Sequence, residues 1–384
     1  MSQRPRCVAC GGSDFIEVLG FDDLPVFCNV LHDSAAEATA AATGTIRLEQ
    51  CSACGLLVNT RFDPGLTEYQ PGYENSLHHS AVFQEWATSC ARRLVDTYGL
   101  AGATVLEIGC GRGGFLSLMR EAGVGRAIGY DPSLPPGTEV SEGVEVHPGY
   151  YDPSLSVRAE LAISRHVLEH VTDPRSLVEV LATAAPDGVL YLEVPDATSM
   201  LENSAIYDVI YEHCNYFGAP AMAALVESAD LRMVDCRTGF GGQYLSVEAA
   251  GGPGEASVVP EGAIDRLLEA GTTFSAAAAS EMGLWKQRLA EHAAAGRDVV
   301  AWGAGSKGVS FVNLVEGGAG ISRLVDLNPL KRGRFVPGTA QMVVSPEDLL
   351  EEPPQVVVVM NPIYRDEVAA MLSELGIGAE VLVA

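Results

Sequence analysis

The stretch TVLEIGCGRGGFL, residues 104–116, combines an apolar strand, a glycine-rich turn and the first residues of a helix. Glycine lets the backbone turn sharply and lets a ligand approach the main chain closely. Asp131 follows about 20 residues after the glycines, in the segment GYDPS, where the next predicted strand ends. An acidic side chain at that point can bind two ribose hydroxyl groups. The pattern therefore predicts a nucleotide-binding α/β unit that fits either NAD or S-adenosylmethionine (SAM).

Apolar runs alternate with helical patterns from about residue 80 to 250, in TVLEIG, RAIGYD, LAISRH and GVLYLEV. This rhythm predicts an α/β fold with a central, doubly wound parallel sheet. A turn-rich linker at 251–262 and a predicted helix at 263–295 come next. The rhythm then restarts in DVVAWGAG, RLVDLN and QVVVVMN, which predicts a smaller, Rossmann-like α/β domain. The predicted domains are residues 1–75, 76–252 and 253–384.

The chain of 384 residues has a formal net charge of −26. No basic stripe is present to neutralise phosphates, so we expect neither nucleic acid nor an anionic membrane surface as a partner. A membrane span needs an apolar run of about 18 residues, and the sequence has none. The opening MSQRPRCVAC lacks the apolar region of a signal peptide. We expect a cytoplasmic protein that acts on a small molecule.

Four cysteines form two CxxC motifs, Cys7-Val-Ala-Cys10 and Cys51-Ser-Ala-Cys54. Each motif can direct two thiolates at one tetrahedral ion, so the pair predicts a structural zinc site in the first domain. The spacer of about 40 residues is longer than usual, and four buried or free thiols are the alternative. A thioredoxin-like role fits less well because neither motif lies beside a βαβ pattern. Four ligands would leave no coordination position for catalysis.

A second glycine loop, GAGSKG at 303–308, follows the predicted strand DVVAW, and Asp326 lies at the next strand end. The spacing fits a dinucleotide, a phosphate group or simply the tight turn that every α/β unit needs. Lys307 favours an anion, because an ammonium group at a helix start suits phosphate or carboxylate. A cationic cluster follows at 331–334, for which a solvated loop is the alternative. The candidate substrate-binding residues are Gly303, Gly305, Ser306, Lys307, Asp326, Lys331 and Arg334.

The form E-x-G-x-G-x-G at Glu107–Gly113 resembles motif I of the class I SAM-dependent methyltransferases. The segment SRHVLEHVTDP (164–174) is similar to the stretch after the fourth strand in a large branch of that family, where it lines the SAM pocket. Ala159 and Glu160 stand where that family often has Asp, a departure that leaves the glycines intact. His170 is interpreted as a packing or capping residue. The SAM-binding residues that the resemblance implies are Glu107, Gly109, Gly111, Gly113, Asp131, Ser164, Arg165 and His166.

The order of the three blocks resembles the sugar C-methyltransferases, which act on nucleotide-linked keto-deoxysugars. Members of that family have an N-terminal four-cysteine zinc domain, a central SAM domain and a C-terminal Rossmann-like domain. The matching pieces are CVAC, CSACGL, LEIGCGRGGFL, YEHCNYF, and WGAGSKG with VDLNPLKRGRFVPGT. The resemblance covers nearly the whole chain. It implies methylation of a carbon next to a carbonyl, with SAM as the methyl donor and zinc as a structural ion.

The segment IYEHCNYF, residues 210–217, places Glu212 beside His213 among aromatic side chains. In the family that the chain resembles, a Glu–His pair here belongs to the active site, which implies His213 as the base. An imidazole can remove the proton next to a ketone and so generate an enolate. A neighbouring carboxylate can orient the imidazole and stabilise its protonated form. Packing of a helix end is the alternative for both residues.

Four further side chains are candidates for the same reaction. A tyrosine hydroxyl can donate a hydrogen bond to the enolate oxygen, and a second histidine can act as a rival base. The candidates are Tyr211 and Tyr73 as donors, and His78 and His79 as bases.

The segment VVVMNPIYRDEV near the C-terminus departs from the sugar-methylating members, whose strand end is closer to a tryptophan–asparagine pair. The type of reaction therefore carries over better than the identity of the substrate. An O- or N-methyltransferase of a non-sugar metabolite stays open. An NAD(P)-dependent oxidoreductase would use one of the two glycine loops, and a non-catalytic binding module would carry a degraded motif I. Motif I is intact here, which argues against the non-catalytic module.

Overall fold

Within the residues that the structure describes, the chain forms three β-sheets, and one long helix packs against elements of the N-terminal and C-terminal sheets. A computed structural model describes residues 6–67, 76–134, 137–138, 140–155, 157–256 and 259–384. The strands are β1 (Phe15–Pro25), β2 (Thr43–Cys51), β3 (Leu57–Asn59), β4 (Thr104–Ile108), β5 (Arg126–Asp131), β6 (Val144–Pro148), β7 (Leu161–Arg165), β8 (Val189–Pro195), β9 (Asn215–Tyr216), β10 (Arg232–Gly239), β11 (Tyr244–Ala250), β12 (Val299–Trp302), β13 (Arg323–Val325), β14 (Met342–Val344), β15 (Val356–Val359) and β16 (Glu380–Val383). The helices are α1 (Ala35–Thr39), α2 (Ala81–Tyr98), α3 (Gly114–Glu121), α4 (Pro174–Ala184), α5 (Ala197–Glu202), α6 (Ala219–Ser228), α7 (Ala263–Ala294), α8 (Ser306–Leu314) and α9 (Arg365–Glu374).

The central sheet has the strand order β10-β11-β8-β7-β4-β5-β6. The five strands from β8 to β6 run parallel, and β11 and β10 join them antiparallel at one edge. Strands β4 and β7 are largely buried, which explains their nearly continuous apolar sequences. The predicted doubly wound central sheet is confirmed. Its parallel strands bring their carboxyl ends to one edge, where ligands bind in such folds.

The C-terminal sheet is fully parallel, in the order β14-β13-β12-β15-β16. The run of four valines in β15 is completely buried, as expected for a strand covered on both faces. The predicted Rossmann-like unit is therefore confirmed. Helix α2 of the central unit touches it directly, because the Ser80 hydroxyl at its start donates to the Glu367 carboxylate of α9 at 2.8 Å.

The N-terminal sheet contains a strand that the sequence did not predict there. Its order is β1-β2-β3-β9, all antiparallel, and β9 comes from the segment that also carries His213. Leu57 pairs with Tyr216 and Val58 with Asn215. The chain thus returns to its first sheet after completing most of the second. The domain boundaries drawn from sequence stay a prediction.

Helix α7 is the shared support of the three units. One apolar core joins strands β1 to β3, the segment around residues 197–216, this helix and the C-terminal sheet. The Gln50 side-chain amide also donates to the carbonyl of Leu267 on α7 at 3.1 Å. Although α7 is 32 residues long, no helix described in this structure is long and apolar enough to cross a membrane.

Replacement of Trp285 by alanine tests the role of α7. Trp285 is fully buried and packs edge-to-face on Phe311 of α8, with 5.2 Å between ring centroids. The resulting cavity should lower the free energy of unfolding by about 3–5 kcal/mol. The adjacent Leu284 is 43% exposed, so Leu284→Ala should change it by no more than about 0.5 kcal/mol. Urea denaturation measures both variants, and equal effects would show that α7 is not a core element.

Candidate active site

The first glycine loop joins β4 to α3 in left-handed backbone conformations. Gly109, Gly111 and Gly113 have φ values of 81°, 53° and 74°, which other residues adopt only with strain. A side-chain carbon added at Gly109 would lie 2.2 Å from a methyl group of Val167. One added at Gly111 would meet no atom within 4 Å. The loop is therefore packed on one side and open to a ligand at Gly111.

Two acidic residues, Glu107 before it and Asp131 at the end of β5, flank this loop. Asp131 accepts hydrogen bonds from the backbone N–H of Gly111 at 2.8 Å and of Ser133 at 2.7 Å, so it fixes the loop shape. Glu107 is buried, and its Oε2 has no hydrogen-bond partner among the described residues. Burial raises the pKa of Glu107 to about 7, because the carboxylate form loses its hydration.

The end of β7 contributes a buried layer of alternating charge. Arg165 lies 2.8 Å from Glu193, and His166 lies between Glu193 at 3.2 Å and Glu169 at 3.5 Å. Burial opposes the charged imidazole, but the two carboxylates outweigh it and raise the pKa of His166 to about 9. Ser164 is also buried. His166 and Glu169 line the next cavity, and the charges of Arg165 and His166 act on Glu107 beside the glycine loop.

His213 lies beside His170 and Glu169 and lines the same cavity. One ligand atom from each of these three residues lies within 4.8 Å of the other two. The rings of His170 and His213 meet edge-to-face at 4.8 Å. The Nδ1–H of His170 donates to the carbonyl oxygen of Glu212 at 3.1 Å, so the Nε2 of a neutral His170 remains an acceptor. Burial, reinforced by His170, lowers the pKa of His213 to about 3, so His213 is neutral near pH 7.

Glu212 and Tyr211 point away from His213, contrary to the expectation drawn from the sequence. The Glu212 carboxylate accepts the backbone N–H of Cys28 at 2.8 Å. The Tyr211 hydroxyl accepts the backbone N–H of Asp63 at 2.9 Å, and its ring stacks on Phe62. Both side chains are buried against the N-terminal unit. The carboxylate that faces His213 is Glu169, so neither a direct contact of the Glu212 carboxylate with the His213 imidazole nor a donor role for Tyr211 fits this geometry.

A cavity of about 660 Å³ connects His213 with the second glycine loop. The N-terminal unit contributes Asn29 to its wall, and the segment before His213 contributes Asp208. Six of the seven predicted substrate-binding residues also line it: Gly303, Gly305, Ser306, Lys307, Asp326 and Lys331. The seventh, Arg334, lies outside the cavity and pairs with Asp33 at 2.9 Å, so its predicted role is not supported.

Two lysines bring positive charge to this cavity. Lys307, in the first turn of α8, pairs with Asp208 at 2.5 Å. Lys331 is buried, donates to the carbonyl of Ala304 at 3.1 Å and lies 3.2 Å from Asp326. Asp326 also accepts the backbone N–H of Ala304 at 3.0 Å. Asp326 thus binds both the backbone of the second glycine loop and the buried Lys331.

The two remaining histidine candidates face different parts of the molecule. His79 lines the cavity, whereas His78 packs against Phe83 and against the start of α3 at Gly114. Tyr73 lies outside the described residues. His78 therefore borders the first glycine loop, and only His79 of the two predicted rival bases faces the same cavity as His213.

The four predicted metal ligands come together in the N-terminal unit. The Sγ atoms of Cys7 and Cys54 are 3.6 Å apart, as are those of Cys10 and Cys51. All four sulfur atoms lie within 4.8 Å of one another. Sulfur atoms at the corners of a tetrahedron with Zn–S bonds of about 2.3 Å are about 3.8 Å apart. The cluster therefore fits a single tetrahedral ion.

Sequence reasoning missed Glu169, which lies with His170 in a short helical turn at Leu168–His170. His170 was interpreted as a packing or capping residue, and the structure places both residues next to His213. Their approach to His213 follows from the Cys214 backbone N–H, which donates to the carbonyl of Glu169 at 2.9 Å. A contact between segments more than forty residues apart leaves no local signal in the sequence.

Family models match two parts of the chain. A methyltransferase domain matches residues 78–235, and a C-methyltransferase C-terminal domain matches residues 269–383. This chain is a methyltransferase with the C-terminal domain of the C-methyltransferases. The methyltransferase is also similar to the C-methyltransferase NovU of Streptomyces niveus, with 26% identity over 391 residues, which cover 94% of this chain and 91% of that protein.

Solved structures resemble the methyltransferase over less than half its length. The 1,6-didemethyltoxoflavin-N1-methyltransferase of Burkholderia thailandensis is 20% identical, covers 45% of this chain and 82% of its own, and has a TM-score of 0.36. The magnesium protoporphyrin IX methyltransferase of Synechocystis PCC 6803 is 18% identical, covers 48% and 91%, and has the same TM-score. Scores this low add nothing to the assignment.

The two histidines on either side of Glu169 should titrate in opposite ranges. Between pH 5 and pH 8, His166 should stay protonated, because its pKa is about 9, and His213 should stay neutral, because its pKa is about 3. NMR of histidine-labelled methyltransferase, with His166→Gln and His213→Asn used for assignment, measures both. A midpoint near 6.5 for either ring would contradict the buried charge layer.

The raised pKa of His166 also predicts how stability depends on pH. Its contribution is fully present below the ordinary pKa of 6.5 and is lost as the pH rises through about 9. The urea midpoint should therefore fall more steeply over that range in the wild type than in His166→Gln.

Proposed function

We propose that this methyltransferase takes its methyl group from SAM at the first glycine loop and places it on a carbon next to a carbonyl. The proposed substrate is a small biosynthetic molecule such as a nucleotide-linked keto-deoxysugar. The observation that carries the proposal is the position of His213. The neutral imidazole of His213 lies in the wall of a cavity that also contains the second glycine loop with Lys307, and His166 and Glu169 line the same cavity.

The SAM site is proposed on the loop from Glu107 to Gly113. The open space at Gly111 lets a ligand approach the main chain. The Oδ2 of Asp131 accepts the Gly111 N–H, and because a carboxylate oxygen has two lone pairs, the same atom can also accept a ribose hydroxyl. Ser164, Arg165 and His166 border this space. Bound SAM supplies an electrophilic methyl group.

The substrate site is proposed in the cavity beyond His166. A volume of about 660 Å³ is within the usual range for a small-molecule site. The backbone N–H groups at the start of α8, with Lys307 and Lys331, suit a diphosphate. Such a group would replace Asp208 as the partner of Lys307. This arrangement supports an anionic, nucleotide-linked substrate with its sugar directed to His213.

His213 is proposed as the general base. His213 is neutral before reaction, so it can accept the proton from the carbon next to the carbonyl. The electron pair of the broken C–H bond then forms the enolate. The enolate carbon attacks the methyl group, the C–S bond breaks and the pair of that bond returns to sulfur. Glu169 favours the protonated imidazole, because its negative charge raises the pKa of His213 against the effect of burial.

Gly111→Val tests the cofactor site. The added side chain would fill the open space where the ligand approaches, so calorimetry should detect no SAM binding. Gly123→Val is the matched control, because Gly123 also has a positive φ, of 111°, and open surroundings but lies outside the loop. Normal SAM binding by Gly111→Val would show that motif I is misassigned.

His213→Asn tests the base. This variant should keep its SAM affinity and lose turnover by roughly 10²–10⁴-fold, the usual contribution of general-base catalysis. With S-adenosylhomocysteine in place of SAM, the wild type should exchange the substrate's α-hydrogen with deuterated water, and His213→Asn should not. His292→Asn, at the end of α7, should behave as the wild type.

The exchange experiment also separates this mechanism from its rivals. Undiminished exchange in His213→Asn would move the base to His79. Methylation without any exchange in the wild type would replace the enolate by an oxygen or nitrogen acceptor.

A further inference from the structure

The segment that carries His213 is built into the sheet of the four-cysteine unit. Strand β9 starts two residues after His213 and pairs with β3 through Asn215 and Tyr216. Between them, the Asn59 backbone N–H donates to the carbonyl of Cys214 at 3.0 Å. The backbone that positions His213 is thus held by the N-terminal unit on one side and by Glu169 on the other.

Glu212 links the same two sides. Its buried carboxylate accepts the backbone N–H of Cys28, and its own carbonyl accepts the Nδ1–H of His170. Cys28 is buried in the core shared with β1 and β2. The side chain of Glu212 therefore fixes its main chain, and the main chain fixes His170 beside His213. This arrangement requires an acceptor oxygen for the Cys28 N–H, and it does not require a negative charge near the His213 imidazole.

Two of the four cysteines lie next to β3, the strand that pairs with β9. Cys51 ends β2, and its N–H donates to the carbonyl of Leu56 at 2.8 Å, directly before β3 begins. Cys54 lies in that turn. Strand β3 has three residues and β9 has two, so neither has the length to persist without its neighbours. A metal ion in the cluster would fix the turn and, through it, the register of β3 against β9.

We propose that Glu212 is a positioning residue, and that it and the four-cysteine metal site together hold His213 against Glu169 and His170. The methyltransferase domain then binds SAM without help from the N-terminal unit but needs it to place the base. This inference rests on the proposed role of His213. The structural metal would then be coupled to the catalytic base through the backbone. The metal itself would not contact substrate, because its four cysteine ligands leave no open coordination position.

A series at Glu212 tests the first half. Glu212→Gln keeps an acceptor oxygen for the Cys28 N–H, so its kcat, its KM and the pH profile of kcat should match those of the wild type. Glu212→Ala loses the acceptor and should lower kcat on the order of 10²-fold, as expected for a misplaced catalytic group, with SAM affinity unchanged. Glu202→Ala, at the exposed end of α5, is the control. The proposal is overturned if Glu212→Gln is as impaired as Glu212→Ala, or if its pH profile shifts.

Metal removal tests the second half without an activity assay. Purified protein should contain about one zinc per chain. Stepwise chelation should raise amide hydrogen exchange in residues 43–59 and 210–217, leave residues 104–116 protected and leave SAM affinity unchanged, and added zinc should reverse the effect. Cys10→Ser should reproduce the chelated state. Unchanged protection of 210–217 after full metal loss would overturn the proposal. A failure of His213→Asn to abolish α-hydrogen exchange would instead remove the base assignment and leave this result intact.

Discussion

The backbone pairing of β9 with β3 is the constraint on which the rest of the site depends. Two residues, Asn215 and Tyr216, bring the middle of the chain back to its first sheet. The Asn215 side chain then donates to the carbonyl of Val171 at 2.8 Å, which ties this strand to the segment after β7. The pairing and the hydrogen bond from the Cys214 N–H to the Glu169 carbonyl together fix the position of His213 relative to Glu169. Residues of all three units therefore line the cavity, and no single unit forms it alone.

Buried charge gives the cavity its chemistry. Burial alone would raise the pKa of the Glu193 carboxyl, yet Arg165, His166 and Tyr191 together outweigh burial and hold that pKa at about 2. His166 is charged between two carboxylates, whereas His213, next to Glu169, is neutral. Under the proposed function, the charged layer separates the SAM site from the proton acceptor. Neighbouring imidazoles thus take opposite states for identifiable electrostatic reasons.

The sequence predicted local features well and contacts between segments poorly. The glycine loops, the two parallel sheets and the cysteine cluster follow from spacing and apolar patterns, which are local. The direction of Glu212 does not, because its partner Cys28 is far away in the chain. The same holds for Glu169, His170 and Arg334, whose positions depend on strand pairing and ion pairs between units. A Glu–His dipeptide looked like a catalytic pair, but the backbone turns there, with the His213 N–H donating to the carbonyl of Ile210 at 3.3 Å, and the two side chains reach different partners.

A crystal structure with S-adenosylhomocysteine and a nucleoside diphosphate bound together would test the proposed arrangement of the two sites. We expect the ribose of the first ligand at Asp131, with its sulfur directed past His166 toward His213. We expect the diphosphate on Lys307 at the start of α8, with Asp208 displaced. A sulfur atom directed away from His213, or a diphosphate bound outside the cavity between the three sheets, would contradict it.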